Sequence, residues 1–155
     1  MIKLIKTLAL LIAPICFAAT VMAQDQIHKD KAWVAYTDKD DRGRKLCYMT
    51  SILEQTTTSQ KVNRRGDTAL IVTHRPFYGI DGQVEVKLGF PGDEGKGATI
   101  SVDGRNSTKL FIKGETAWSY DDISDQKLVG MMRRGNKLLL TSTSRRGTVL
   151  KDTYS

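Results

Sequence analysis

The sequence predicts an all-β fold: a single-domain antiparallel β-sandwich or partly open barrel of about eight strands, with one short helix near residues 123–134. Three observations carry this. Apolar residues alternate with polar ones at a period of two, most clearly where Val84, Val86, Leu88 and Phe90 interleave with Gln83, Glu85 and Lys87. Turn-rich stretches at 38–43, 91–97, 103–106 and 145–147 cut the chain into short pieces. One segment, 121–135, follows a helical period instead: Leu128, Met131 and Met132 recur at helical spacing, acids gather at its start, Arg133 and Arg134 close its last turn, and Gly135 follows. Gly130 inside it costs about 1 kcal/mol relative to alanine.

The elements follow in order. Lys3 and Lys6, an apolar run over 8–19, and small residues at Val21 and Ala23 ahead of Gln24-Asp25 read as a secretory signal peptide, residues 1–23, cleaved after Ala23. The run contains Pro14 and falls short of the ~20 apolar residues of a spanning helix, so no transmembrane span is expected. Cys16 follows Ile15 inside the run, which does not suit a lipid-anchoring signal. Residues 24–31 are polar and aperiodic, a flexible lead-in to a domain over 32–155. Trp33-Val34-Ala35-Tyr36 and Lys45-Leu46-Cys47-Tyr48-Met49 form a hairpin, and the Thr-rich 54–63 is the long loop. Residues 68–75 and 83–90 read as a second hairpin around Asp81-Gly82. Ile100 and Val102 lead through Asp103-Gly104-Arg105-Asn106 into a strand at 109–113. After the helix, strands at 137–143 and 148–154 are joined by a tight turn at Arg145-Arg146-Gly147.

Composition narrows the function. Cleavage of 23 residues from the 155 leaves 132, enough for one stable core. Of the 24 basic residues 22 then remain against 17 acidic ones, a formal charge of +5. Acids interrupt the basic residues throughout, which argues against a nucleic-acid arm, whereas an envelope rich in phosphate and carboxylate suits the sign. Cys47 is the one cysteine left after cleavage, so no internal disulfide is available to it; it is a candidate free thiol, either buried and inert or paired with another chain.

No convincing catalytic constellation, cofactor site or metal site emerges. His74 is the one histidine within the strand region, which leaves zinc without a ligand set, and it reads as a hydrogen-bonded structural residue. Cys47 with His74 is conceivable as a nucleophilic pair, but no third, orienting residue can be named. The acidic stretch Asp38-Lys39-Asp40-Asp41-Arg42-Gly43 puts Arg42 at the fifth ligand position of a calcium loop, so an acidic turn balanced by its own arginines is the better reading. Arg65-Gly66-Asp67 matches an integrin-read tripeptide, and three common residues in a turn recur by chance. Trp33 and Trp118 are expected as core anchors, with a binding edge at Tyr78, Tyr120 or Tyr154 left open.

The most informative recurrence is Arg-Arg-Gly, at 64–66, 133–135 and 145–147, each just before a strand. Its plain reading is turn chemistry, glycine supplying a positive φ beside solvated arginines. Its sharper reading makes Arg64, Arg65, Arg133, Arg134, Arg145 and Arg146 a candidate surface for anions or partners, since guanidinium forks fit phosphate and carboxylate. Arg133-Arg134 and Arg145-Arg146 flank a single strand whose ends are roughly 20 Å apart at about 3.3 Å per residue. They cannot share one small pocket.

Several landmarks fall in a familiar order: Trp33, Leu46-Cys47-Tyr48, Arg64-Arg65-Gly66-Asp67, Thr73-His74-Arg75-Pro76, Ala117-Trp118, Met131-Met132-Arg133-Arg134-Gly135, and Ser144-Arg145-Arg146-Gly147-Thr148 leading to Asp152-Thr153-Tyr154-Ser155. This set resembles the invasion-associated locus B family from Trp33 to Ser155. The resemblance implies a small exported β-rich protein of Gram-negative bacteria, periplasmic, outer-membrane associated or at the cell surface, linked to host-cell invasion and without a known catalytic activity. Founding members carry more cysteines, and relatives often continue past the final Tyr-Ser. The expected function is therefore non-enzymatic: host-cell interaction or envelope function through an envelope or host-surface protein or a polyanion such as lipopolysaccharide. Two alternatives stand beside it, a small periplasmic thiol enzyme or hydrolase using Cys47 and His74, and a structural envelope protein pairing through its strand edges.

Overall fold

The computed structural model describes residues 24–155, so the expected signal peptide lies outside the described residues. Eleven strands, one α-helix and one 3₁₀ turn follow in order: β1 Asp25–Asp30, β2 Trp33–Lys39, β3 Lys45–Ser51, β4 Gln55–Thr58, β5 Ala69–Arg75, the 3₁₀ turn Pro76–Tyr78, β6 Ile80–Lys87, β7 Ala98–Val102, β8 Asn106–Lys113, β9 Thr116–Trp118, α1 Asp122–Met132, β10 Leu138–Thr143 and β11 Val149–Tyr154. The strands join into a single open antiparallel sheet, ordered β1-β2-β3-β5-β6-β9-β8-β7-β10-β11-β4. The all-β class with one short helix is thus as expected, with more strands than expected.

Long strand β8 is where the sheet changes direction. Its first part, 106–110, pairs with β7, and its last part, 111–113, pairs with β9. The sheet bends on itself, and inward residues from both halves meet in one cluster: Leu70, Val72, Val84 and Val86 from one side, Ile100, Leu110, Leu138 and Leu140 from the other. Period-two alternation puts these side chains on one face, and their removal from water supplies the main stabilising term.

Helix α1 closes the core above β6. Its N-cap is Asp121, whose carboxylate accepts the Ser124 N–H at 2.7 Å; that bond holds the Asp121 carboxyl below its ordinary value. Leu128 and Met131 point inward, and Asp125 accepts the Val84 N–H at 2.8 Å, fastening the helix to β6. Burial outweighs that bond and pushes the Asp125 carboxyl above its usual range.

Four local expectations are corrected. Residues 25–30, expected as a flexible lead-in, form β1 against β2 with a bulge between Gln26 and His28. All six residues are exposed, so the strand carries no burial pattern for sequence reading to detect. Part of the supposed long loop forms β4, a four-residue edge strand on β11. Ala117 and Trp118, outside every expected strand, belong to β9. Asp81-Gly82 lies inside β6; the turn falls earlier, where Pro76 opens a 3₁₀ turn closed by Gly79 at φ 67°. Arg44 secures that turn, its guanidinium lying 4.5 Å from the Phe77 ring centre and 4.2 Å from that of Tyr78.

Asp125→Ala should cost about 1–3 kcal/mol in urea unfolding, because it leaves the Val84 N–H buried without an acceptor. Asp125→Asn retains an acceptor and should lose less. A folded-state value raised above the unfolded one means that ionised Asp125 costs stability as pH rises through the carboxylate range. The parent should therefore gain on Asp125→Asn as pH falls back through that range, in melts run at stepped pH.

Candidate functional site

Two of the three Arg-Arg-Gly turns meet at one cleft. The β4–β5 loop is held from both ends: Ser59 N–H donates to Val149 O and Val149 N–H to Ser59 Oγ, both at 2.9 Å, and Gly66 N–H donates to Gly89 O at 2.8 Å. In the β10–β11 turn, Ser144 N–H donates to Thr148 O and Gly147 N–H to Ser144 O, both at 2.8 Å, while Arg145 N–H reaches Pro91 O at 2.9 Å. These bonds gather the loops 59–66, 89–91 and 144–148 around a cleft of about 900 Å³.

Lys61, Arg64, Arg65, Arg145 and Arg146 line it, and no carboxylate does. Lys61, Arg64, Arg145 and Arg146 are exposed. Their side chains make no ion pair among the described residues; the ion pairs there are Arg44–Asp40, Arg65–Asp152, His74–Asp81 and Lys96–Asp93. The cleft thus presents four unneutralised cations beside the apolar Phe90, Pro91 and Leu150. Lys61 was missing from the sequence reading, since a single lysine in a polar loop carries no distinguishing signal.

Arg65 differs from its neighbours and is corrected as a free anion-binding residue. Its Nη2 lies 2.5 Å from Asp152 Oδ2, its Nη1 2.7 Å from Asp152 Oδ1 and 2.9 Å from Thr56 Oγ1, and its Nε donates to Leu88 O at 2.8 Å. Asp152 is 0% exposed, and the guanidinium also faces the Phe90 ring at 5.3 Å. A carboxylate removed from water requires such a bidentate partner. This occupied guanidinium also leaves Arg65-Gly66-Asp67 unfit for the integrin reading.

Arg133 and Arg134 follow α1, at the far end of β10 from Arg145, and do not line the cationic cleft. The glycines of the repeated tripeptide are not equivalent. Gly147 has φ 87°, whereas a Cβ on Gly135 would lie 2.1 Å from Val102 Cγ1 and one on Gly66 would touch Gly89. The turn reading of the repeat therefore holds for Gly147 and close approach explains Gly135, whereas neither requires a glycine at position 66.

The thiol pair is brought to facing positions on adjacent strands without a hydrogen bond between them. Cys47 and His74 are register partners across β3 and β5. Yet the ring turns toward β6: Nδ1 sits 2.6 Å from Asp81 Oδ1, and Cε1 lies 4.0 Å from where a Cβ on Gly82 would be. No hydrogen bond joins Cys47 to His74, and the thiol is half-buried. A structural histidine, held by Asp81, is what the geometry gives. In the acidic turn, partial burial opposes ionisation of Asp40, but the Arg44 and Arg42 N–H groups and the Arg44 guanidinium outweigh it and hold its carboxyl below the ordinary value. Among the described residues no group of three or more His, Cys, Asp or Glu side chains is placed to hold a metal ion.

Aromatic placement also departs from expectation. Trp33 packs against the core, but Trp118 pairs with Glu85 and Phe111 on the opposite face of the sheet. Burial raises the Glu85 carboxyl there. Tyr154 is fully buried and cannot form a binding edge, whereas Tyr78 and Tyr120 are exposed.

Comparison with protein-family models, with curated proteins and with solved structures returned no match.

Arg65→Met alone should cost about 3–5 kcal/mol in chemical unfolding, because Asp152 is then buried without a countercharge. Arg65→Met combined with Asp152→Leu should recover much of that loss. A double-mutant cycle read by urea denaturation measures the coupling.

Proposed function

We propose that the protein is an exported, non-enzymatic member of the bacterial envelope that binds a polyanionic partner through the cleft between residues 59–66, 89–91 and 144–148. The observation that carries this reading is the gathering of Lys61, Arg64, Arg145 and Arg146 around about 900 Å³ without a lining carboxylate. Four like charges held together repel one another, and an anion that enters relieves the repulsion while its oxygens take up the guanidinium forks. Arginine suits phosphate and carboxylate geometrically, and the adjoining Phe90 and Pro91 accommodate a partly apolar partner. A phosphorylated glycolipid such as lipopolysaccharide combines both properties. The basic charge of the chain, the expected leader and the resemblance to the invasion-associated locus B family support an envelope or surface location and a role in host-cell interaction. No helix among the described residues is long and apolar enough to cross a membrane.

A second reading rests on the edges of the open sheet. Strands β1 and β4 each end it with one side free of a neighbouring strand in the sheet order, so a partner could add a strand there. Strand β4 is four residues long and β1 is largely charged and polar, which favours the cleft as the main surface.

Binding to purified lipopolysaccharide, followed calorimetrically, should weaken about tenfold or more in Arg64→Ala/Arg145→Ala/Arg146→Ala and between about 50 mM and about 500 mM salt. Lys109→Ala/Lys113→Ala, at exposed cations outside the cleft, should leave it nearly unchanged. Equal loss in both variants, or salt-independent binding, would reject the cleft as the polyanion site.

A further inference from the structure

A second cleft, of about 520 Å³, lies between the inner face of β2, β3 and β5 and the end of α1 with the start of β10. Its chemistry is the reverse of the first. The sheet wall is Trp33, Met49 and Val72; the opposite wall is Val129, Met132 and Leu138. Ala35, Met49 and Val72 are register neighbours on one face, yet Val72 is 2% exposed and Met49 is 39% exposed. Coverage by the helix therefore stops between them, and an apolar floor is left open to solvent.

Polar groups sit at the rim: His28, Asp30, His74, Arg133 and Asn136. Arg133 is exposed, and its guanidinium has no hydrogen-bond or ion-pair partner among the described residues. His74 is already held by Asp81. Asp30 is the one carboxylate side chain on the rim and Arg133 the one guanidinium, while Lys29, Lys31 and Arg134 adjoin rim residues in the chain without lining the cleft.

We infer that this cleft binds the single hydrocarbon chain of an amphipath with an anionic head, the chain lying along Trp33, Ala35 and Met49 and the head at Arg133. The volume falls in the range of about 300–1,000 Å³ usual for small-molecule sites. Two unbranched methionines, one on each wall, adapt to a flexible chain better than to a rigid ring system. The unpaired guanidinium selects carboxylate or phosphate over an ammonium head. This site stands at the other end of β10 from the cationic cleft and does not depend on the function proposed there.

Trp118→Phe leaves Trp33, on the cleft wall, as the only tryptophan of the chain. In that background, decanoate and dodecanoate are titrated below micelle-forming concentrations while Trp33 emission is followed. A saturable blue shift is expected, with each added methylene tightening binding by up to about fourfold. Arg133→Ala should weaken dodecanoate by about fivefold or more, and Ala35→Phe, which fills the cleft, should abolish the response. Circular dichroism checks that the filled variant folds, and Val129→Phe replaces it if it does not. The inference is overturned by the absence of a saturable shift, by a shift that survives filling of the cleft, or by dodecyltrimethylammonium binding as tightly as dodecanoate.

Discussion

The contact between Arg65 and Asp152 is the constraint on which the cationic end of the molecule depends. It joins residues 87 positions apart and draws in Thr56 of β4 and the carbonyl of Leu88, just past β6. A buried carboxylate on β11 is costly unless a guanidinium saturates its lone pairs, and only a chain segment able to reach across β4 can deliver one. The β4–β5 loop is thereby pinned over the end of the core. Because Arg65 turns inward, its neighbour Arg64 is left facing solvent, beside Arg145 and Arg146. One arginine of the pair is consumed by the fold, and the other becomes available to a ligand.

How much of this was legible in the sequence depended on burial. Strands with one buried face announced themselves by alternation: β6, β7, β10 and β11 place buried residues at every second position over most of their length. Strands β1 and β4 did not, since the first is wholly exposed and the second nearly so; their backbone bonds to β2 and β11 fix them, and side-chain pattern does not record that. The misplaced hairpin turn has a different cause. Asp81-Gly82 has the composition of a tight turn, but Asp81 is bound to His74 across the β5–β6 ladder, and Pro76 starts the reversal earlier.

The site was legible as ingredients rather than as an assembly. Repetition of Arg-Arg-Gly was evident, and the length of β10 correctly separated Arg133-Arg134 from Arg145-Arg146. That Arg64 would meet Arg145 depends on the bonds from Gly66 to Gly89 and from Arg145 to Pro91, contacts between segments distant in the chain. Likewise, no local signal distinguishes Arg65, which neutralises a buried aspartate, from Arg64, which does not. Three copies of one tripeptide end in three environments because the partner brought to each is chosen by the topology of the sheet.

The same topology accounts for the contrast between the two clefts. At one end of β10 the ordered β4–β5 loop, anchored by Arg65, covers the core and leaves a polar depression above it. At the other, cover depends on α1, which packs chiefly on β6 through Leu128, Met131 and the Asp125 bond to Val84. From β6 to β2 is three strand spacings, about 14 Å, whereas a helix with its side chains is about 10–12 Å across. A single helix seated on β6 cannot therefore also roof β2 and β3. Trp33 and Met49 retain their apolar surface toward solvent, and Arg133, just beyond the helix end, lines that opening. An apolar floor with an arginine at its rim thus follows from the reach of one short helix over a sheet wider than it can cover.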